Sequence, residues 1–337
     1  MKKYFRFLFL ILFHLSLCKA QNSETKSADT LSLSGIKPVS IKNLEFPQTK
    51  PGQKIISHNA YSFVYNETHE QSEWVAYELT KEETVKAYER SNKFLPDPAV
   101  ETNTASNSDY LKSGYDKGHL APAADMASSE ITMTESFYFS NMSPQDPAFN
   151  RAIWKKLEEL VRKWAVENNS VYIVTGPVLS NDLKTIGAEK ISVPDYFYKI
   201  ILDYTEPGIK AIAFIFPNQP SHFPLKNFAV TIDSAEKFTG IDFFSALPDE
   251  QEKLIESNLC LSCWSWENGI SFSAGADSLR TKEVEKNQTE KDPAFSDSPA
   301  KIQNSTSVQC SELTKKGKRC QRMTKASNGK CYQHGGN

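Results

Sequence analysis

Beyond residue 17 the chain has no apolar run long enough to cross a bilayer as a helix, so a soluble mature protein is expected. It also lacks a positive excess, with 39 Lys and Arg against 41 Asp and Glu. The spread is uneven. Residues 1–19 hold four basic residues and no acidic one, and the stretch from Cys310 onward holds seven and one. The middle is left with 28 basic residues against 40 acidic. A net-acidic body excludes a protein that coats nucleic acid through bulk charge, yet leaves room for an enzyme with a local cationic cleft. Internal repeats are absent. Cysteine is scarce, with six in 337 residues, and only five follow residue 20, an odd number that cannot all pair.

What is present begins with an export pattern. Lys2, Lys3 and Arg6 precede an apolar run from Phe7 to Leu17, and Ala20 offers a small residue at a cleavage point, so residues 1–20 read as a signal peptide. Cys18 would carry the lipid of a lipoprotein, but Leu17 is bulky where such sites want a small residue. The expected location is periplasmic or secreted. Residues 21–40, rich in Ser, Thr and Lys, read as a disordered leader, and 41–267 as one globular α+β domain. The chain's hydrophobic fraction of 39%, with 13 Tyr, 20 Phe and 5 Trp, can fill a sizeable core. Strands are expected at 74–79, 171–174, 197–202 and 211–216, all rich in β-branched and aromatic residues. A helix is expected over 147–166, where apolar residues at 149, 153, 157, 160, 161 and 164 follow a 3.6 period behind Pro147. A second covers 248–257. Residues 268–308 hold few large apolar side chains and read as a linker. A compact cysteine-bearing tail spans 309–337.

The chemistry concentrates in three segments: Asp116-Lys-Gly-His119, Ser140-Asn-Met-Ser-Pro-Gln145, and Asn150 through Trp154 to Leu157-Glu158. Phosphodiester hydrolysis needs a base active near neutral pH, which a histidine such as His119 supplies. It needs a divalent cation to take up charge on the phosphate, and magnesium accepts an amide oxygen plus waters as its ligands. Cationic side chains must also meet the charge of the transition state. Each residue alone has an ordinary reading: a structural histidine, an Asn at a helix start, a solvated Glu. Asn150, Trp154, Glu158 and Arg162 recur at four-residue spacing on one face of the expected helix. Two turns separate Asn150 from Glu158 by about 12 Å of rise, so Glu158 reaches a shared ion through water rather than directly.

In order and spacing these segments resemble the DNA/RNA non-specific endonuclease family, whose pattern is Asp-Arg-Gly-His, Ser-Asn-x-x-Pro-Gln and Asn-x-x-x-Trp-x-x-Leu-Glu. Tyr110, Ser113-Gly-Tyr115, Thr175-Gly-Pro177 and Val193 to Lys199 fit its flanking pattern, over roughly residues 45–260. The resemblance implies a ββα-metal nuclease fold, with a central antiparallel sheet flanked by helices and two strands and a helix around the metal. It implies DNA and RNA as substrates, read through phosphates and sugars with little base preference. The cofactor would be magnesium, with manganese as a substitute. His119 would be the general base and Asn150 the one direct protein ligand. Glu158 would hold a metal-bound water, Arg162 would orient Glu158 or a phosphate, and Asn141 would support the histidine loop. Arg90, ahead of Asp97-Pro98, would stabilise the transition state. Lys117 departs from the family's arginine, keeping the charge but losing the planar fork. Two rival readings are a phosphodiesterase for short oligonucleotides and an inactive nuclease fold kept as a nucleic-acid or protein binder. Intact His119, Asn150 and Glu158 argue against the second. An inhibitor partner and dimerisation leave no mark in the sequence.

In the tail, Cys310, Cys320, Cys331 and His334 form Cys-x9-Cys-x10-Cys-x2-His, a donor set suited to structural zinc. It resembles a small Cys3His module appended to diverse bacterial and phage proteins. In an exported chain these thiols could instead oxidise to disulfides. Cys260 and Cys263 have the spacing of a redox pair without a thioredoxin-like context, so a local structural disulfide is expected there. That pairing leaves three cysteines in the tail, an odd number that favours metal.

Overall fold

The structure, a computed structural model, describes residues 36–102 and 104–266, together with the backbone of two short strands near the C-terminus. The strands in chain order are β1 (Ile55–Ser57), β2 (Ser62–Asn66), β3 (Gln71–Thr80), β4 (Asp116–His119), β5 (Met142–Gln145) and β6 (Ser170–Pro177). They continue with β7 (Thr185–Ile186), β8 (Ile191–Ser192), β9 (Tyr196–Asp203), β10 (Lys210–Pro217) and β11 (Ala229–Val230). The helices are α1 (Asn107–Tyr110), α2 (Glu130–Glu135), α3 (Lys155–Asn168), α4 (Ile232–Thr239) and α5 (Asp249–Glu256).

Seven strands form one antiparallel sheet in the order β1-β2-β3-β6-β9-β10-β11. Its middle four are the strands expected from sequence. Alternation along them divides the core between two faces, because successive strand side chains point to opposite sides. On β9, Phe197 and Ile201 enter one cluster with α3, while Tyr198, Ile200 and Leu202 enter the other with Ile232 and Ala235 of α4 and Ile255 of α5. The helices therefore flank the sheet on both sides. Leu157, Leu160, Val161 and Trp164 of α3 are all buried, and each such side chain contributes about 1.5–3 kcal/mol.

A small antiparallel pair, β4 with β5, stands apart from the main sheet, with Asp116 opposite Gln145 and His119 opposite Met142. It is followed directly by a helical segment, giving the two strands and one helix of the expected site. That segment corrects one expectation. Residues Phe149–Trp154 form a π-helical turn, and the α-helix proper begins only at Lys155. The bonds of a π-turn run i→i+5, so more residues fit in each turn and the regular four-residue stripe is broken. Trp154 accordingly lies fully buried, whereas Asn150, Glu158 and Arg162 are half-buried.

At the N-terminal edge Ile36 already packs against the second core cluster, ahead of the expected start of the body at Ile41. At the other edge Trp264 and Trp266 pack with Trp164, whose indole N–H donates to the Ser265 carbonyl at 2.7 Å. Cys260 and Cys263 are joined by a disulfide. The chain divides into two compact units, Met1–Ser271 and Phe272–Asn337. In the second, Val308–Gln309 pairs antiparallel with Met323–Thr324. The expected signal peptide, the expected linker and the set Cys310, Cys320, Cys331 and His334 lie outside the described residues. Among the described residues no helix is long and apolar enough to cross a membrane.

Candidate active site

β4 carries the site's first half because its sequence lets it approach β5 closely. A Cβ on Gly118 would lie 2.1 Å from Gln145 Oε1 and 2.5 Å from its Cγ, and Gln145 is fully buried. Only glycine fits there. The loop after β4 is clamped by Asn141, itself fully buried. Its side chain accepts from the Ala121 N–H at 2.8 Å and donates to the carbonyls of Ala121 and Ser136, each at 2.9 Å. Its own carbonyl accepts from the Leu120 N–H at 3.0 Å. The residue after His119 is thus tied to the residue before β5.

His119 is 7% exposed and its Nε2 has no hydrogen-bond partner. Its ring stands edge-on to Phe137 at 4.9 Å and lies 6.0 Å from Phe94. Each of these rings also carries a cation. The Arg90 guanidinium sits 4.9 Å from the Phe137 centroid, and the Lys117 ammonium 4.1 Å from that of Phe94. The aromatic pair is therefore a scaffold that sets two positive charges around the imidazole. Lys117 also donates to Asn107 at 2.7 Å, and Arg90 to Asn92 at 3.0 Å. Burial, reinforced by the Arg90 charge, lowers the His119 pKa to about 3, so the ring is neutral.

Asn150 is bound to the same strand. Its amide N–H donates to Asp116 Oδ2 at 3.0 Å, and Arg151 grips the same carboxylate with Nε at 2.7 Å and Nη2 at 2.5 Å. Burial alone would raise the Asp116 carboxyl, but the bonds from Arg151 and Asn150 outweigh it and hold it ionised. A carboxylate can only accept, so this contact fixes the amide with its nitrogen inward and its carbonyl oxygen on the far side. That oxygen is the hard donor a magnesium ion would use.

On α3, Glu158 sits in a field of cations. Burial, with the Asp125 charge, raises its pKa to about 7 against the pull of Lys199, Arg162 and Arg90. Lys199 is fully buried on β9 with its ammonium 5.0 Å from the Trp154 ring and without a hydrogen-bond partner. Burial lowers its pKa, opposed by the charges of Glu158 and Asp125. Arg162 is held by Asp125 at 2.7 Å, and Asp125 accepts from the Tyr77 hydroxyl at 2.8 Å. Arg162 thus reaches Asp125 through Nη1, and its charge also acts on Glu158.

The structure therefore gathers His119, Arg90 and Lys117 around two phenylalanines, Asn150 on Asp116, and Glu158 among Lys199, Arg162 and Arg90. Sequence reasoning gave no role to Lys199, Asp125, Asp116, Arg151 or the two rings. Lys199 had a detectable signal, a lone cation within an otherwise apolar strand. The others depend on contacts between segments distant in sequence.

Comparison with known proteins agrees with this geometry. The model of the DNA/RNA non-specific endonuclease family matches residues 42–250. The mitochondrial nuclease EXOG of Danio rerio is 37% identical over 204 residues, spanning 56% of this chain and 60% of that protein. Nuclease C1 of Cunninghamella echinulata var. echinulata is 33% identical over 260 residues, spanning 71% of this chain and 99% of the fungal one. The chain thus matches less than two thirds of the length of the EXOG protein but nearly all of nuclease C1. Among solved structures, that of EndoG with EndoGI, a complex describing EndoG inhibition, superposes with a TM-score of 0.57 at 32% identity, covering 63% of this chain and 92% of EndoG. With the family pattern matched over most of the folded body, this chain belongs to the DNA/RNA non-specific endonuclease family.

Proposed function

We propose that this protein is an exported, magnesium-dependent endonuclease that hydrolyses phosphodiester bonds of DNA and RNA with little sequence preference. The observation that carries the reading is the neutral, buried His119, its Nε2 unpartnered, flanked by Arg90 and Lys117 on aromatic supports. Export rests on the basic-apolar-small pattern of residues 1–20; the mitochondrial location in the EXOG name belongs to that protein.

His119 would take the proton of the attacking water at its free imidazole nitrogen. A histidine with a pKa near 3 is a weak base, but Arg90 is part of the cause of that low value. A bound phosphate beside Arg90 offsets the guanidinium charge and raises the base towards the working pH. Arg90 and Lys117 would hold phosphate oxygens, and neither reads a base. Asn150 would ligate magnesium through its carbonyl oxygen, with Glu158 holding one of the ion's waters. Manganese would substitute at the same oxygen ligands. When bound, the metal supplies positive charge to the scissile phosphate and the leaving oxygen. The Asp116 contact keeps the amide in its ligating orientation, and Lys199 and Arg162 favour the charged form of Glu158. In the tail, Cys310, Cys320, Cys331 and His334 would hold a structural zinc, to be checked by elemental analysis of the full chain.

The test is digestion of a plasmid and of a long RNA with and without magnesium, by the wild type and by His119→Ala. Metal-dependent internal cleavage of both polymers, reduced by roughly two to four orders of magnitude in the variant, is expected. Binding without cleavage, or wild-type turnover in His119→Ala, would refute the assignment.

A further inference from the structure

On the sheet face opposite α3, Asp233 and Glu236 of α4 and Glu256 at the end of α5 converge. One carboxylate oxygen from each lies within 4.8 Å of the others. Asp233 and Glu236 are three residues apart on one helix face, while Glu256 comes from the neighbouring helix. Asp233 sits in the first turn of α4, where the helix dipole favours an anion. No such account serves Glu256. It is the last residue of its helix, where the dipole disfavours negative charge, and it is 5% exposed. Its Oε1 has no hydrogen-bond partner. After burial, the charges acting on it are Glu236, Glu252, Asp233 and Asp242, all negative. Glu236 has one oxygen committed, accepting from the Phe243 N–H at 2.8 Å, which leaves its second oxygen outside that bond.

We propose that Asp233, Glu236 and Glu256 form a structural site for a hard divalent cation of calcium's size, independent of the catalytic centre. The donors are all carboxylate oxygens, which suits calcium or magnesium and not a soft metal. Coordination geometry discriminates between the two. Calcium, at about 2.3–2.6 Å from its oxygens, tolerates irregular ligand arrangements, whereas magnesium demands near-ideal octahedral geometry at about 2.0–2.1 Å. The exposed Asp233 leaves one side of the ion to water, which calcium's six to eight ligands require. A bound cation supplies the buried Glu256 carboxylate with the partner it lacks and converts like-charge repulsion into a tie between α4 and α5. Both helices pack on β10, so this tie secures the sheet from the face opposite the catalytic helix.

The experiment is thermal unfolding and calorimetric titration of the full chain with calcium chloride. Four proteins are compared: wild type, Asp233→Asn, Glu256→Gln and Asn150→Ala. At calcium a hundredfold above its dissociation constant, the wild-type midpoint should rise by roughly 5–10 °C. Asn150→Ala should keep that rise. Asp233→Asn, an exposed change that spares the core, should lose most of it while cleaving DNA at the wild-type rate. Glu256→Gln should abolish it, and should melt higher than wild type in calcium-free buffer because the repulsion is gone. No calcium binding by the wild type, a rise unchanged in both carboxylate variants, or a rise that disappears in Asn150→Ala would each overturn the site.

Discussion

Replacing Gly118 by alanine tests whether the closeness of β4 and β5 matters to the catalytic strand. The added methyl would lie 2.1, 2.2 and 2.5 Å from Oε1, Cδ and Cγ of Gln145, far inside contact distance. Gln145 is fully buried and cannot swing into solvent, so either its side chain leaves its rotamer or the two strands part. Overpacking of this kind costs about 1–3 kcal/mol, which lowers the melting temperature of a body this size by roughly 2–12 °C. Parting the strands moves Asp116, which pairs with Gln145 and holds Asn150, as well as His119, the residue after Gly118. A displacement of about 1 Å at such a site costs on the order of a hundredfold in rate. The assay is plasmid cleavage alongside thermal unfolding, repeated with Gln145→Ala in the Gly118→Ala background. Trimming the glutamine makes room for the methyl, so the double variant should recover most of both losses, with a coupling of about 0.5–3 kcal/mol. A Gly118→Ala protein with wild-type melting and rate, or losses that simply add in the double variant, would refute the reasoning.

Asn150→Ala should remove efficient use of magnesium, whereas Glu158→Ala, acting through water, should weaken it less; metal titrations of cleavage rate give the ranking, and the reverse order would exchange the two roles. Lys199→Met removes the foremost charge that holds the Glu158 carboxyl down against burial, so the Glu158 pKa rises and the acid side of the pH–rate profile should move to higher pH, while Lys199→Arg should largely restore it. At Asp97, burial would raise the carboxyl, but bonds from His58, Ser140 and the Ala99 N–H outweigh it and hold it below the usual value. A depressed folded pKa contributes stability above the unfolded value of about 3.9 that disappears as pH falls through the folded one. Asp97→Asn should therefore cost most stability near pH 7 and progressively less towards pH 3, as measured by urea unfolding. An equal loss at both pH values would sink that linkage.

The four strands legible in the sequence, β3, β6, β9 and β10, are the adjacent strands at the middle of the main sheet. Buried on both faces, they are rich in β-branched and aromatic residues over much of their length, a signal that the short flanking strands do not give. β4 and β5 gave none. Asp116-Lys-Gly-His and Met142-Ser-Pro-Gln hold shape through Gly118, Asn141 and pairing to each other rather than through apolar alternation. They could be placed only through the chemistry their residues share with a family. The π-turn was equally silent, because its apolar spacing imitates an α-helix closely enough to hide the change of pitch. The charged surroundings of Glu158 were not legible for another reason. Lys199, Asp125 and Arg90 come from a strand, a loop and an upstream segment that only the folded chain brings together.

That π-turn also indexes the active site. It carries Asn150, the residue proposed to hold the metal, and leads into the stretch of α3 that carries Glu158 and Arg162, and so sets their angular phase as a gear tooth sets the timing of a shaft. An α-helix turns about 100° per residue. Restoring regular α-geometry at constant length would leave Asn150, Glu158 and Arg162 chemically untouched but rotate one end of the set relative to the other, because an α-turn holds fewer residues than a π-turn. The pitch of this turn is then as much a part of the proposed site as the identity of its residues, and a change that tightens it at constant length should be tolerated far less than substitutions of its solvent-facing side chains.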